Sequence, residues 1–73
     1  MAMGRTVLNE KIALECVFTP FGICIKFIVN REMIASLAIE PNTRSSFMWG
    51  HSNEVKYDVT MGEAIDLVMK AIA

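Results

Sequence analysis

The sequence predicts an α+β domain in which an antiparallel β-meander of four to five strands carries one C-terminal α-helix packed on one face. Three observations lead to this fold class. Apolar residues make up 53% of the 73-residue chain, many of them recur with the period of two typical of strands, and only the last segment has the helical period of 3.6. The length indicates one domain, residues 1–73.

The meander is predicted to begin near residue 11. Residues 1–9 have a mixed pattern and are expected either to fray or to add an edge strand. Over residues 11–18, large apolar side chains recur at every second position, which indicates a strand. Residues 19–22, Thr-Pro-Phe-Gly, predict a turn. We expect no helix to cross Pro20, which lacks an amide hydrogen and would clash with the preceding turn.

Two further strands are predicted at residues 23–29 and 33–40, with a turn at residues 30–32 between them. Six of the seven residues of the first are apolar, so both of its faces are expected to be at least partly covered. The second is rich in Met, Ala, Leu and Glu, which also favour a short helix. We prefer a strand because Pro41 ends the segment and its alternation continues the meander.

The region between Pro41 and the last segment is predicted to be less regular. Residues 41–46 form a polar loop, residues 47–49 a short apolar patch and residues 50–53 a further turn. Residues 54–59 alternate again, with apolar or aromatic side chains on one face and charged ones on the other. This pattern predicts a half-exposed edge strand.

The last segment is predicted to be a helix beginning after Thr60. Thr60 and Glu63 have the spacing of a capping box, in which each side chain accepts a hydrogen bond from the other residue's backbone amide. Glu63 near the N-terminus and Lys70 near the C-terminus suit the helix dipole. An apolar stripe follows the helical period: Met61, Ala64, Ile65, Val68, Ala71 and Ile72. A helix this short is marginal alone and must dock on the sheet.

One short helix covers only one face of such a sheet. The strand alternation predicts that this covered face carries Ile12, Leu14, Cys16, Phe18, Ile23, Ile25, Phe27, Val29, Met33, Ala35, Leu37 and Ile39. The second face is predicted to carry apolar residues that nothing in the chain covers: Ala13, Val17, Cys24, Ile28, Ile34 and Ala38. A domain of this size buries only about 60% of its extended surface and gains stability from disulfides, a metal or oligomerisation. We therefore predict that another protein chain covers this face, most simply a second copy in a homodimer.

Composition excludes several classes of function. Two cysteines and one histidine are too few for a structural zinc site, and the four glycines are too scattered for a phosphate-binding loop. The net charge of −1 provides no strong field for nucleic acid or anionic membranes. No apolar run approaches a membrane span and no signal-peptide core is evident. We expect a cytoplasmic protein with reduced thiols, no cofactor and no bound metal.

The residues with the most reactive side chains do not form a recognisable catalytic arrangement. His51 lies in a Gly-His-Ser-Asn turn, and no nucleophile stands at an activating spacing from it. Cys16 and Cys24 flank the turn at Pro20. A register that pairs them directly allows a disulfide, whereas a shift by one residue places them on opposite faces. We predict that the protein is not an enzyme.

Aromatic and basic residues interleave only within residues 44–57. Trp, Tyr and Arg are enriched in protein interfaces, and we predict a protein-binding surface made of Arg44, Phe47, Trp49, Tyr57, Ile28 and Ile34. Phe47 and Trp49 could instead belong to the core. The predicted function is that of a small adaptor, inhibitor or regulator. The alternative is a nucleic-acid-binding regulator that stacks bases on this region, although its basic residues are sparse.

Overall fold

The computed structural model describes residues 2–7 and 10–73, which form one antiparallel sheet followed by one helix. The six strands lie side by side in the order of the sequence. Their bounds are β1 Ala2–Val7, β2 Ile12–Thr19, β3 Gly22–Val29, β4 Glu32–Ile39, β5 Ser46–Trp49 and β6 Val55–Tyr57, and the helix is α1 Met61–Ile72. The predicted α+β meander with a C-terminal helix is confirmed. The residues that form β5 were expected to give only a short apolar patch.

Two tight loops set the register of the three longest strands. Between β2 and β3, the Thr19 hydroxyl accepts a hydrogen bond from the Phe21 amide and donates one to the Gly22 carbonyl, both at 3.2 Å. Between β3 and β4, Asn30 and Arg31 have φ angles of 52° and 66°. Two consecutive left-handed residues are the signature of the type I′ hairpin turn, whose twist matches that of the strands.

The core lies between α1 and one face of the sheet. The largest side chains that are fully buried there come from β2, β3, β4, β5 and α1: Ile12, Phe27, Leu37, Phe47 and Val68. The rings of Phe27 and Phe47 meet edge to face with centroids 6.3 Å apart, an arrangement that aromatic pairs favour. The period-two pattern therefore predicted correctly that Ile12, Phe27 and Leu37 face the helix.

The helix begins with the predicted capping box. The Thr60 hydroxyl accepts a hydrogen bond from the Glu63 amide, and the Glu63 carboxylate accepts one from the Thr60 amide, each at 3.1 Å. Two amides that no helical carbonyl can reach are thereby satisfied.

Replacing the cap should destabilise the domain without changing its fold. Thr60→Ala leaves the Glu63 amide without its side-chain acceptor and is expected to cost about 1 kcal/mol of unfolding free energy. Urea denaturation followed by circular dichroism measures this loss. The matched control is Thr43→Ala, which removes an exposed loop hydroxyl and should change stability by less than about 0.5 kcal/mol. Equal losses in the two variants would show that the cap contributes nothing specific.

Candidate protein-binding surface

The face of the sheet opposite α1, here named the open face, is defined by strand register. Each residue on it pairs with neighbours that project to the same side, because directly opposed residues in an antiparallel sheet share a face. Its members on β2 to β6 include Ala13, Glu15, Val17, Thr19, Gly22, Cys24, Lys26, Ile28, Met33, Ser36, Ala38, Ser46, Met48, Val55 and Tyr57. No helix or strand of the described part of the chain lies over them.

Burial on the open face is lower than in the core. Val17, Cys24, Ile28 and Ala38 are only half-buried, shielded by their own neighbours in the sheet. Met48 is 41% exposed at the β5 side of this face. A sheet with apolar side chains on both faces is normally covered on both. The open face is apolar in this way but is not covered, which is typical of a surface that binds another chain.

A polar row crosses the middle of the open face. Glu15 on β2 lies directly opposite Lys26 on β3, and Lys26 lies opposite Ser36 on β4. Opposite charges at directly opposed positions stabilise a strand pair modestly. Apolar residues lie on both sides of this row along the strands, with Val17 toward the β2–β3 loop and Ile28 toward the other end.

One corner of the open face is formed by Tyr57 and a charged pair. Both Nε and Nη2 of Arg44 donate hydrogen bonds to Oδ2 of Asp58, at 3.0 and 2.7 Å. The guanidinium carbon lies 4.8 Å from the centroid of the Tyr57 ring, within the range of a cation–π contact. Tyr57 itself is 54% exposed. The arrangement holds the Arg44 side chain against the rim of the open face.

The Arg44–Asp58 pair shifts the pKa of both groups. The hydrogen bond from Arg44 lowers the pKa of the Asp58 carboxyl below its ordinary value, because it stabilises the charged form. The same bond raises the pKa of Arg44. Both side chains are 64% exposed, and an exposed pair of this kind adds little stability. The pair instead engages the Arg44 guanidinium, which donates two hydrogen bonds to Asp58.

The predicted binding residues do not form one surface. Phe47 is fully buried, which agrees with the alternative that assigns it to the core, and its ring lies between those of Phe27 and Trp49. Trp49 is half-buried on the helix side of the sheet, with its ring centroid 5.1 Å from that of Phe47. Of the four predicted residues in the segment 44–57, only Arg44 and Tyr57 lie at the open face.

The two isoleucines of the predicted surface also differ in position. Ile28 lies on the open face, opposite Ala13. Ile34 is the extra residue of a β-bulge, because Phe27 pairs with Ala35 whereas Ile28 pairs with Met33. A bulge redirects the side chain it carries, and Ile34 packs against the core cluster. Sequence alternation could not detect this change of direction.

The basic and aromatic residues of the nucleic-acid alternative are divided in the same way. Lys56 lies opposite Phe47 in the register, on the helix side of the sheet, whereas Tyr57 lies on the open face. Arg44 is already hydrogen-bonded to Asp58. A stacking surface for single-stranded nucleic acid needs aromatic and basic groups along one groove, and this region does not place them there.

The cysteines and the histidine are separated as well. Cys16 pairs with Ile25 and Cys24 with Val17, so the two thiols lie on opposite faces and both are free. His51 lies exposed beside the Trp49 ring, with 6.1 Å between centroids. Among the residues the structure describes, no group of three or more His, Cys, Asp or Glu side chains could hold a metal ion. In the same residues, no helix has the length and apolarity to cross a membrane.

A second exposed apolar patch, which the sequence reasoning missed, surrounds the β2–β3 loop. Phe21 in the loop is 75% exposed, and Phe18 and Ile39 beside it are 43% and 39% exposed. Phe18 and Ile39 were expected to face the core. They project to the helix side of the sheet, but the last turn of α1 lies near Lys11, at the other end of β2. The sequence feature that could have revealed this patch is Phe21, a large apolar residue in a predicted turn.

Comparison of the chain with models of known protein families, with curated proteins and with solved structures finds no match. The geometry of the open face is therefore the basis on which a function is proposed.

Proposed function

We propose that this protein is a non-enzymatic protein-binding module, an adaptor, inhibitor or regulator, that acts through the open face and forms a homodimer. One observation carries the proposal: α1 covers one face of the sheet, while no helix or strand of the described chain lies over the other face, on which Val17, Cys24, Ile28 and Ala38 are only half-buried. Partly exposed apolar surface rimmed or crossed by polar residues is typical of interaction sites in soluble proteins.

The size of the domain supports the same conclusion. A domain of 73 residues is expected to be stable by only about 4–11 kcal/mol. Burying apolar surface contributes about 25 cal/mol for each Å² removed from water. Covering the open face would therefore add to that margin whatever exceeds the cost of association, whereas leaving it in water invites aggregation.

The proposal predicts that a charge placed on the open face abolishes self-association. In Ile28→Glu, a carboxylate replaces a half-buried side chain of the open face and would have to lose its hydration in the interface. We expect the wild-type protein to have twice the 8.2 kDa chain mass and the variant to have the mass of one chain. Size-exclusion chromatography with light scattering, over a range of concentrations, measures both.

Met69→Glu is the matched control, because Met69 is a 44% exposed apolar residue on α1, away from the open face. This variant should remain dimeric, and circular dichroism should show that both variants are folded. A wild-type protein that is monomeric at every concentration contradicts the homodimer, and so does a dimer that Ile28→Glu leaves intact. A titration with single-stranded oligonucleotides at low salt tests the alternative: tight, salt-sensitive binding would overturn the assignment as a protein-binding module.

A further inference from the structure

We propose that two copies of the chain pack open face to open face, related by a two-fold axis that lies between the two sheets. The axis runs parallel to the strands and passes over the gap between β2 and β3, so that Glu15 of each copy lies over Lys26 of the other. This inference rests on the proposed homodimer. It adds the orientation of the two copies and the residues that determine it.

The position of the two charges within the sheet carries the argument. Glu15 and Lys26 are directly opposed in register, so they lie at the same height along the strands. Rotation about an axis parallel to the strands preserves this height and exchanges the positions of β2 and β3. Each carboxylate then faces an ammonium group of the second copy, and the polar row becomes self-complementary.

The other simple two-fold arrangement places like charges together. In that arrangement the axis also lies between the two sheets, but it runs perpendicular to the strands at the height of Glu15 and Lys26. Each strand then lies over the same strand of the second copy. Glu15 would then face Glu15 and Lys26 would face Lys26. Like charges apposed across an interface are strongly unfavourable, and charge patterns of this kind select orientation more than they raise affinity. The polar row therefore favours the parallel axis.

Side-chain size is compatible with this axis, although the polar row and not side-chain size separates it from the perpendicular one. Ala13 lies opposite Ile28 in register, and Val17 lies opposite Cys24. Exchange of β2 and β3 places the small Ala13 of one copy under the large Ile28 of the other, on both sides of the axis. Facing layers pack densely when large residues meet small ones. Two twisted sheets aligned in this way cross at about 30° and lie about 10 Å apart.

The available area reaches the lower bound for a biological interface. The four longest strands, β1 to β4, contain six to eight residues each. With strands about 4.8 Å apart and a rise of about 3.4 Å per residue, they cover roughly 500 Å² on each copy. The two copies together would bury about 1,000 Å², the area at which biological interfaces are distinguished from incidental contacts.

A charge exchange that keeps the pairing within each chain tests the orientation. The double variant E15K/K26E retains opposite charges at the two positions. It should form a homodimer of its own, because the lysine introduced at position 15 would face the glutamate introduced at position 26 of the second copy. Mixed with isotope-labelled wild-type protein, it should form at least tenfold less heterodimer than random exchange gives, since like charges would meet at both positions. Native mass spectrometry after equilibration counts the three species.

The single variants provide the complementary measurement. E15K alone and K26E alone should each self-associate at least tenfold more weakly than the wild type, which sedimentation equilibrium measures. Mixing the two should restore a heterodimer, because each lysine then meets a glutamate across the interface. Restoration on mixing separates contacts between copies from repulsion within one chain.

The outcomes separate this inference from the proposed function. A monomeric wild-type protein overturns both. If Ile28→Glu dissociates the dimer but wild type and E15K/K26E exchange freely, the open face is the interface and the proposed axis is wrong. If the single variants associate weakly and mixing does not restore a dimer, the charges act within each chain and the proposed pairing is overturned.

Discussion

Phe47→Ala is expected to remove about 3–5 kcal/mol of unfolding free energy, the range measured when a buried phenylalanine is truncated. Phe47 is fully buried, and its ring contacts those of Phe27 and Trp49 edge to face. Truncation removes the central ring of this cluster and leaves a cavity between the sheet and α1. Because a domain of this size is stable by only about 4–11 kcal/mol in total, a large fraction of the molecules should unfold on mild heating.

Thermal and urea denaturation, followed by far-ultraviolet circular dichroism, measure this effect without relying on Trp49 fluorescence, which the substitution alters directly. Phe21→Ala is the matched control, since the same side chain is 75% exposed in the β2–β3 loop. Its loss should change stability by less than about 0.5 kcal/mol. Similar losses in the two variants would contradict the burial of Phe47 and the placement of β5 in the sheet.

Gly22→Ala is expected to have the second largest effect, a loss of about 2–3 kcal/mol from backbone strain and displacement. Gly22 has a φ of 150°, which other residues rarely adopt. A Cβ atom there would overlap the carbonyl oxygen of Ile39 and lie 2.9 Å from Cα of Glu40. Both are backbone atoms beside the end of β4, so no side-chain rotation can relieve the contact and the end of the β3–β4 pair must move apart.

Gly4→Ala is the control for this prediction, because a Cβ atom on Gly4 in β1 would meet nothing within 4 Å. Alanine restricts the unfolded chain more than glycine does, and at an interior strand position it is expected to stabilise by about 0.5–1 kcal/mol. The two substitutions should therefore shift the urea midpoint in opposite directions. A shift of Gly22→Ala in the stabilising direction would show that the strand ends are not in close contact.

The sequence pattern was sufficient to predict those strands and that helix whose periodicity or capping residues lie within the element itself. The alternation of β2 to β4 identified the face that packs against α1, because the pleat forces residues two apart onto one side. The capping box of α1 was readable from Thr60 and Glu63 because both partners lie within one turn. β5 was not recognised as a strand, since its four residues are too few to show a period.

The relation between the cysteines depended on the loop between them. With a two-residue loop of Pro20 and Phe21, Thr19 pairs with Gly22 and the count outward places Cys16 opposite Ile25. A longer or shorter loop shifts this count and would give another pairing. The sequence located the turn but not the length of the loop, and both registers therefore remained open.

The sequence alone determined the α+β class, the apolar side of β2, of β3 and of β4 beyond its bulge, and the single helix that can cover only one face, because these depend on repeats of two or 3.6 residues within one segment. Tertiary structure decided that Phe47 belongs to the core while Tyr57 lies at the open face, and that Glu15 stands beside Lys26. These placements depend on loop lengths, one bulge and the pairing of strands distant in the chain, which short-range periodicity does not encode.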